Sequence, residues 1–70
     1  MNKPNIENHN PDPQYLRGLI DKTGLSQREC ARRLGISPRA LRQYITHEYN
    51  SSYEPVPYTT QYGLEGLANG

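Results

Sequence analysis

The sequence predicts an all-α domain of about four short helices, and three features predict it. From Leu25 to Ile45 the run LSQRECARRLGISPRALRQYI holds two short amphipathic segments broken only by Gly35. Ahead of it, Asp12 and Pro13 open a segment in which Tyr15, Leu16, Leu19 and Ile20 recur at the spacing that lines one face of a helix. Behind it, Tyr62, Leu64, Leu67 and Ala68 give the stretch from Thr59 to Ala68 a helical apolar pattern.

Residues 1–10, MNKPNIENHN, are polar, rich in Asn and interrupted by Pro4. They bury too little apolar surface to order themselves, so a flexible arm is expected there. Helix one is expected from Pro13 to about Thr23. The Asp12 carboxylate can accept from free backbone amides at its start, and the Pro13 ring fits a position where no N–H is needed. Gly24 can take the left-handed conformation that closes a helix.

Helix two opens on a capping box, Ser26 with Glu29 three residues on, in which the hydroxyl and the carboxylate each satisfy an end amide. Cys30, Ala31 and Leu34 face inward, Ala31 being small where two helices cross most closely. Gly35 ends the helix, Ile36 plugs the turn against the core, and Ser37 and Pro38 start helix three. After His47 the composition shifts to EYNSSYEPVPY, a polar turn and then a segment held extended by Pro55 and Pro57. In the fourth helix Gly63 and Gly66 each cost about 1 kcal/mol relative to Ala. Such a helix needs a partner, which is helix one, a second copy of the chain, or both. The chain therefore divides into an arm at 1–10, a core at 11–49, and a packing and dimerisation segment at 50–70.

Small Ala31, Gly35 four residues on, and Ile36, Leu41 and Tyr44 as inward anchors match the steric pattern of a helix-turn-helix of the lambda repressor and Cro kind. In that fold the outward positions of helix three, Ser37, Pro38, Arg39, Arg42 and Gln43, meet base edges in the major groove of double-stranded DNA. An arginine at Arg39 can span O6 and N7 of guanine with two parallel hydrogen bonds, a contact that discriminates by roughly 1–3 kcal/mol, and Gln43 can pair similarly with adenine. Gln27 is expected to brace the backbone and the start of helix three. Arg28 and Arg32, one turn apart, share a face suited to phosphates, so they position rather than specify. Arg33 is expected to pair with Glu29, and Cys30 to be a small buried hydrophobe rather than a redox centre.

The charge distribution agrees with that reading. Net charge is only +1, yet seven of the eight Lys and Arg fall between Arg17 and Arg42, opposed there by Asp21 and Glu29. A polyanion would meet one basic face without the chain coating nucleic acid indiscriminately. Lys3 is the one basic residue before Arg17, which argues against an arm that enters the minor groove.

With 70 residues and neither Phe nor Trp, the core is small, so a lone protomer is marginal and a homodimer is expected. Tyr53, Val56, Tyr58, Tyr62, Leu64 and Leu67 are its candidate contacts. One Cys allows no intrachain disulfide, and the scattered Cys and His have no metal-ligand spacing, so neither metal nor cofactor is expected. The N-terminal residues lack a signal-peptide core, and no window approaches the roughly 18 apolar residues of a membrane span. A cytoplasmic location follows. No carboxylate pair, Ser-His-Asp set or phosphate-cradling Gly loop stands at useful spacing, so neither an enzyme nor a small-molecule substrate is expected.

Three segments, PDPQYLRGLI, LSQRECARRLGIS and EPVPYTTQYGLEGLAN, together resemble the small anti-CRISPR-associated (Aca) transcriptional repressors of phages and other mobile elements. The likeness runs from Asn10 onward, and the pairing of the opening with the ending selects the family from the wider class. The resemblance implies a homodimer in a bacterial host cell that binds inverted repeats in the promoter of an anti-CRISPR operon and represses it, its own gene included. It also implies that Arg39 is the arginine at the start of the recognition helix and that Gln27 and Arg28 form the phosphate-bracing start of helix two. Some relatives carry a second basic residue where this chain has Glu29, which points to capping rather than a backbone contact there. Other readings of the same residues are an antitoxin-like or excisionase-like regulator, or a protein-interaction module.

Overall fold

The computed structural model describes residues 9–70. The arm expected at 1–10 lies outside the described residues except for its last two. Among the described residues there are four α-helices and no strand: α1 (Pro13–Thr23), α2 (Gln27–Leu34), α3 (Pro38–Ile45) and α4 (Tyr58–Asn69). None of them is long and apolar enough to cross a membrane.

Local chemistry sets the first three helices. Asp12 caps α1 by accepting from the Gln14 amide at 3.0 Å, and Pro13 fills the first turn. At the other end Gly24 takes φ 72°, and its N–H reaches the Asp21 carbonyl. The Thr23 hydroxyl then bridges the exit, donating to the Ile20 carbonyl at 2.6 Å and accepting from the Leu25 amide at 3.0 Å. Ser26 caps α2 through the Glu29 amide at 3.1 Å, and Ser37 caps α3 through the Ala40 amide at 3.0 Å. Between these helices Gly35 sits at φ 75°. Its N–H bonds to the Arg32 carbonyl and the Ile36 N–H bonds to the Ala31 carbonyl, the paired bonds of a Schellman motif, with Ile36 folded against the core.

Half of the expected capping box forms. The Ser26 hydroxyl takes its amide, but the Glu29 carboxylate is drawn to the guanidinium groups of Arg32 and Arg33 rather than back to the Ser26 N–H. Two cations one turn ahead on the same helix outcompete a single end amide for an ionised acceptor.

α4 begins one residue earlier and ends one later than the sequence suggests, with Pro57 at its N-cap and no side-chain cap. Leu64, Leu67 and Ala68 fall within one face of α4, but Tyr62 lies on the other side, because at about 3.6 residues per turn it is more than a quarter-turn from each of them. Leu64 and Gln61 face the core, while Tyr62 is 41% exposed. The core brings together Leu16, Leu19 and Ile20 of α1, Cys30 and Ala31 of α2, Leu41 and Ile45 of α3, and Val56 and Leu64. α4 lies against α1 and α2, and α3 lies against α1 and α2. Gly63 permits one of these approaches: a Cβ there would stand 2.9 Å from Leu34 Cδ2.

A polar network accompanies that core. The Asn10 amide donates to Gln61 Oε1 at 2.8 Å, Gln61 Nε2 donates to Glu65 at 2.9 Å, and the Tyr15 hydroxyl donates to the same Glu65 oxygen. The Tyr15 phenol is pushed up to about 12 by that bond, with partial burial and the Glu65 charge adding to the effect. His9 Nε2 contacts the Val56 carbonyl at 2.6 Å, and the Lys22 ammonium donates to Asn69 Oδ1 at 2.9 Å. The last two residues of the expected arm are therefore tied to the region ahead of α4 and to α4 itself.

Val56 and Leu64, which the sequence pattern offers as dimer contacts, are 2% and 1% exposed inside the protomer's own core. Apolar side chains that a single copy already buries have nothing left to offer a second. Tyr53, Tyr58 and Leu67 are half-buried, and Tyr53 donates to the Pro11 carbonyl at 3.5 Å.

Candidate functional site

The N-terminal half of α3 is where exposed cationic side chains and a fixed backbone meet. Ser37 holds extended geometry at φ −73°, ψ 151°, and its hydroxyl oxygen accepts from the Ala40 amide. Pro38 occupies the first helical position. Leu41 and Ile45 anchor the inner face, which turns Arg39 and Arg42 to solvent and leaves Gln43 half-buried. At the far end Arg17 Nη1 donates to the Ile45 carbonyl at 3.3 Å, placing a cation at the helix C-terminus where free carbonyls carry partial negative charge.

Arg39, Arg42 and Gln43 are brought together with Ser52 along one groove of about 390 Å³. The sequence pattern does not single out Ser52. It reaches the groove because Asn50 organises a tight turn: its Oδ1 accepts from the Ser52 amide at 2.9 Å and the Ser52 hydroxyl at 2.8 Å. The turn is held to α3 by the Glu54 N–H, which donates to the Gln43 carbonyl at 3.1 Å. The signal available in the sequence is Asn50-Ser51-Ser52, a side-chain-stabilised turn shortly after the end of α3 at Ile45. Tyr49, 86% exposed, stacks on His47 in the turn just ahead of it, with ring centroids 4.8 Å apart.

The expected positioning residues divide. Arg28 is exposed on the first turn of α2. Gln27 is exposed too, but it lines a cleft of about 120 Å³ with Arg17, Ile20 and Asp21, facing α1 rather than the start of α3. Arg32 is held by Glu29 through two bonds, one from Nε at 3.0 Å and one from Nη2. Arg33 donates to the same carboxylate at 2.8 Å, as the sequence suggests. Hydrogen bonds from Arg32 and then Arg33 hold the Glu29 carboxyl at about 2, well below the usual carboxylate range, and the same contact raises Arg32. Glu29 is thus ionised wherever the chain is folded at ordinary pH.

Chemically, the α3 groove offers two guanidinium forks and an amide on a rigid support. These groups donate in the plane and spacing that phosphate oxygens and base edges accept. No group of three or more His, Cys, Asp or Glu able to hold a metal ion occurs among the described residues. Cys30 is fully buried, 3.6 Å from the Thr23 hydroxyl. No family model matches the chain, and no curated protein matches it.

Proposed function

We propose that this chain is a sequence-specific DNA-binding repressor of the helix-turn-helix type, a homodimer that binds inverted repeats in the promoter of an anti-CRISPR operon and represses that operon together with its own gene. One observation carries the reading. Arg39 and Arg42 stand exposed, with half-buried Gln43 beside them, on a short helix whose start is fixed by a serine cap, a proline and the left-handed Gly35. A helix so held can enter the major groove end-on with its side chains already aimed. The resemblance of the chain from Asn10 onward to the anti-CRISPR-associated repressors supplies the operon.

On this reading Arg39, Arg42 and Gln43 meet base edges, and Arg28 holds the backbone together with Ser52. Ser37, its oxygen spent on the Ala40 amide, has only its hydroxyl proton to give to DNA. The dimer contact falls to exposed surface of the protomer, which on α4 is the row Thr59, Tyr62, Gly66 and Asn69. A two-fold axis would set the two recognition helices about 34 Å apart, in successive major grooves on one side of the duplex. Repression follows from steric exclusion of RNA polymerase.

A gel-shift titration on the DNA upstream of the chain's own gene, beside a scrambled duplex and at two salt concentrations, tests the proposal. With three to five phosphates neutralised per protomer, the upstream duplex is bound preferentially with a log-log salt slope of about −5 to −9. Equal affinity for both duplexes contradicts sequence-specific recognition.

A further inference from the structure

α2 carries three arginines and one acid, and the acid is already occupied. Glu29 accepts from Arg32 Nε and Nη2 and from Arg33 Nε, so a single carboxylate holds two guanidinium groups. Around the helix Arg32 falls between Arg28 and Glu29, so its bond to Glu29 swings its charge away from the Arg28 side. The side chains of Arg32 and Arg33 remain 70% and 48% exposed. Ion pairs this open to water are weak and exchange readily, so a phosphate on the Arg28 side can take Arg32 when it is brought close and held there. Arg33 instead faces the cleft lined by Thr59, Gly63 and Leu67 of α4.

Resting on the proposed DNA-binding role, we infer that Glu29 determines specificity by competing with phosphate for Arg32, and so suppresses binding to non-cognate DNA. A random duplex engages by charge alone and must win Arg32 from Glu29 without help. At a cognate site the base contacts of α3 pin α2 against the backbone, and the exchange is then local. The competitor therefore weakens random binding more than operator binding.

The test is Glu29→Gln. Its backbone N–H, the group that Ser26 caps, is untouched by the change, so α2 keeps its start. Affinity for a random-sequence duplex and for the upstream duplex is measured across a salt series, with Asp21→Asn as a control of equal charge change. Random-duplex affinity should rise about three- to tenfold, with a log-log slope steeper by about 0.9 for each Arg32 that gains a phosphate. The upstream duplex should gain less, so the specificity ratio falls. Adding Arg32→Ala to Glu29→Gln should remove most of the gain. An unchanged random affinity, or an equal gain in Asp21→Asn, overturns the inference while the DNA-binding reading stands. A wild-type chain that binds no duplex overturns both.

Discussion

Gln61 is fully buried, and replacing it with Leu tests the polar network that joins α4 to α1 and to the chain ahead of it. The side chain accepts from the Asn10 amide at 2.8 Å and donates to Glu65 at 2.9 Å. Losing a bond to a charged acceptor costs about 1.5–3 kcal/mol, and leaving a part-buried N–H without its acceptor costs about 1–3 kcal/mol. Leucine fills similar space and regains part of this through apolar burial, so the net loss should be about 2–4 kcal/mol. A chain of this length is stable by roughly 4–10 kcal/mol in total, so the loss is a large fraction of it. Urea titration followed by circular dichroism measures the difference. Tyr15→Phe supplies a milder companion, because it removes one donor to Glu65 and leaves Gln61 in place; it should cost less than Gln61→Leu. A Gln61→Leu variant as stable as the wild type would refute the claim that these bonds hold α4.

Gly18 lies exposed inside α1, and an added Cβ would meet nothing within 4 Å. Gly18→Ala should raise stability by up to about 1 kcal/mol and Tm by about 4–8 °C; a lowered Tm would mean that this face is covered in solution. The Glu29 contribution should be complete above the ordinary value of 4.5 and lost as pH falls through about 2, because its folded value is depressed. Carboxyl chemical shifts should place its midpoint there, and a midpoint near 4.5 would remove the two-arginine contact. The Tyr15 contribution has the opposite sign: it is present below 10.0 and lost as pH rises through about 12, since ionising the phenol breaks its donation to Glu65. Phenolate absorbance should show one late-titrating tyrosine, which Tyr15→Phe removes.

The first three helices were legible because their signals are local. Asp12, Ser26 and Ser37 cap amides within three residues of themselves, and Gly24 and Gly35 take left-handed geometry whatever surrounds them. The exposed start of α3 was legible for the same reason, since Leu41 inward implies Arg39 and Arg42 outward. What escaped depends on distance along the chain. Gln61 reads as a surface residue until Asn10, 51 positions away, and Glu65 are brought to it. Val56 and Leu64 are apolar on either account, and only the fold assigns them to the protomer's core rather than to a dimer. Arg32 at helical spacing from both Arg28 and Glu29 could turn to either, and the bidentate geometry of the carboxylate decides. Ser52 needed the Asn50 turn to carry it beside α3.

The central claim is that Arg39, presented at the head of α3, reads base pairs, and Arg39→Ala tests it most directly. The exposed side chain bears no core contact, so the variant should fold and assemble as the wild type does. Binding to the upstream duplex should weaken by about 1–3 kcal/mol per half-site, while binding to a scrambled duplex changes little, so that discrimination collapses. If the ratio of upstream to scrambled affinity is the same in Arg39→Ala as in the wild type, α3 is not the element that reads the sequence.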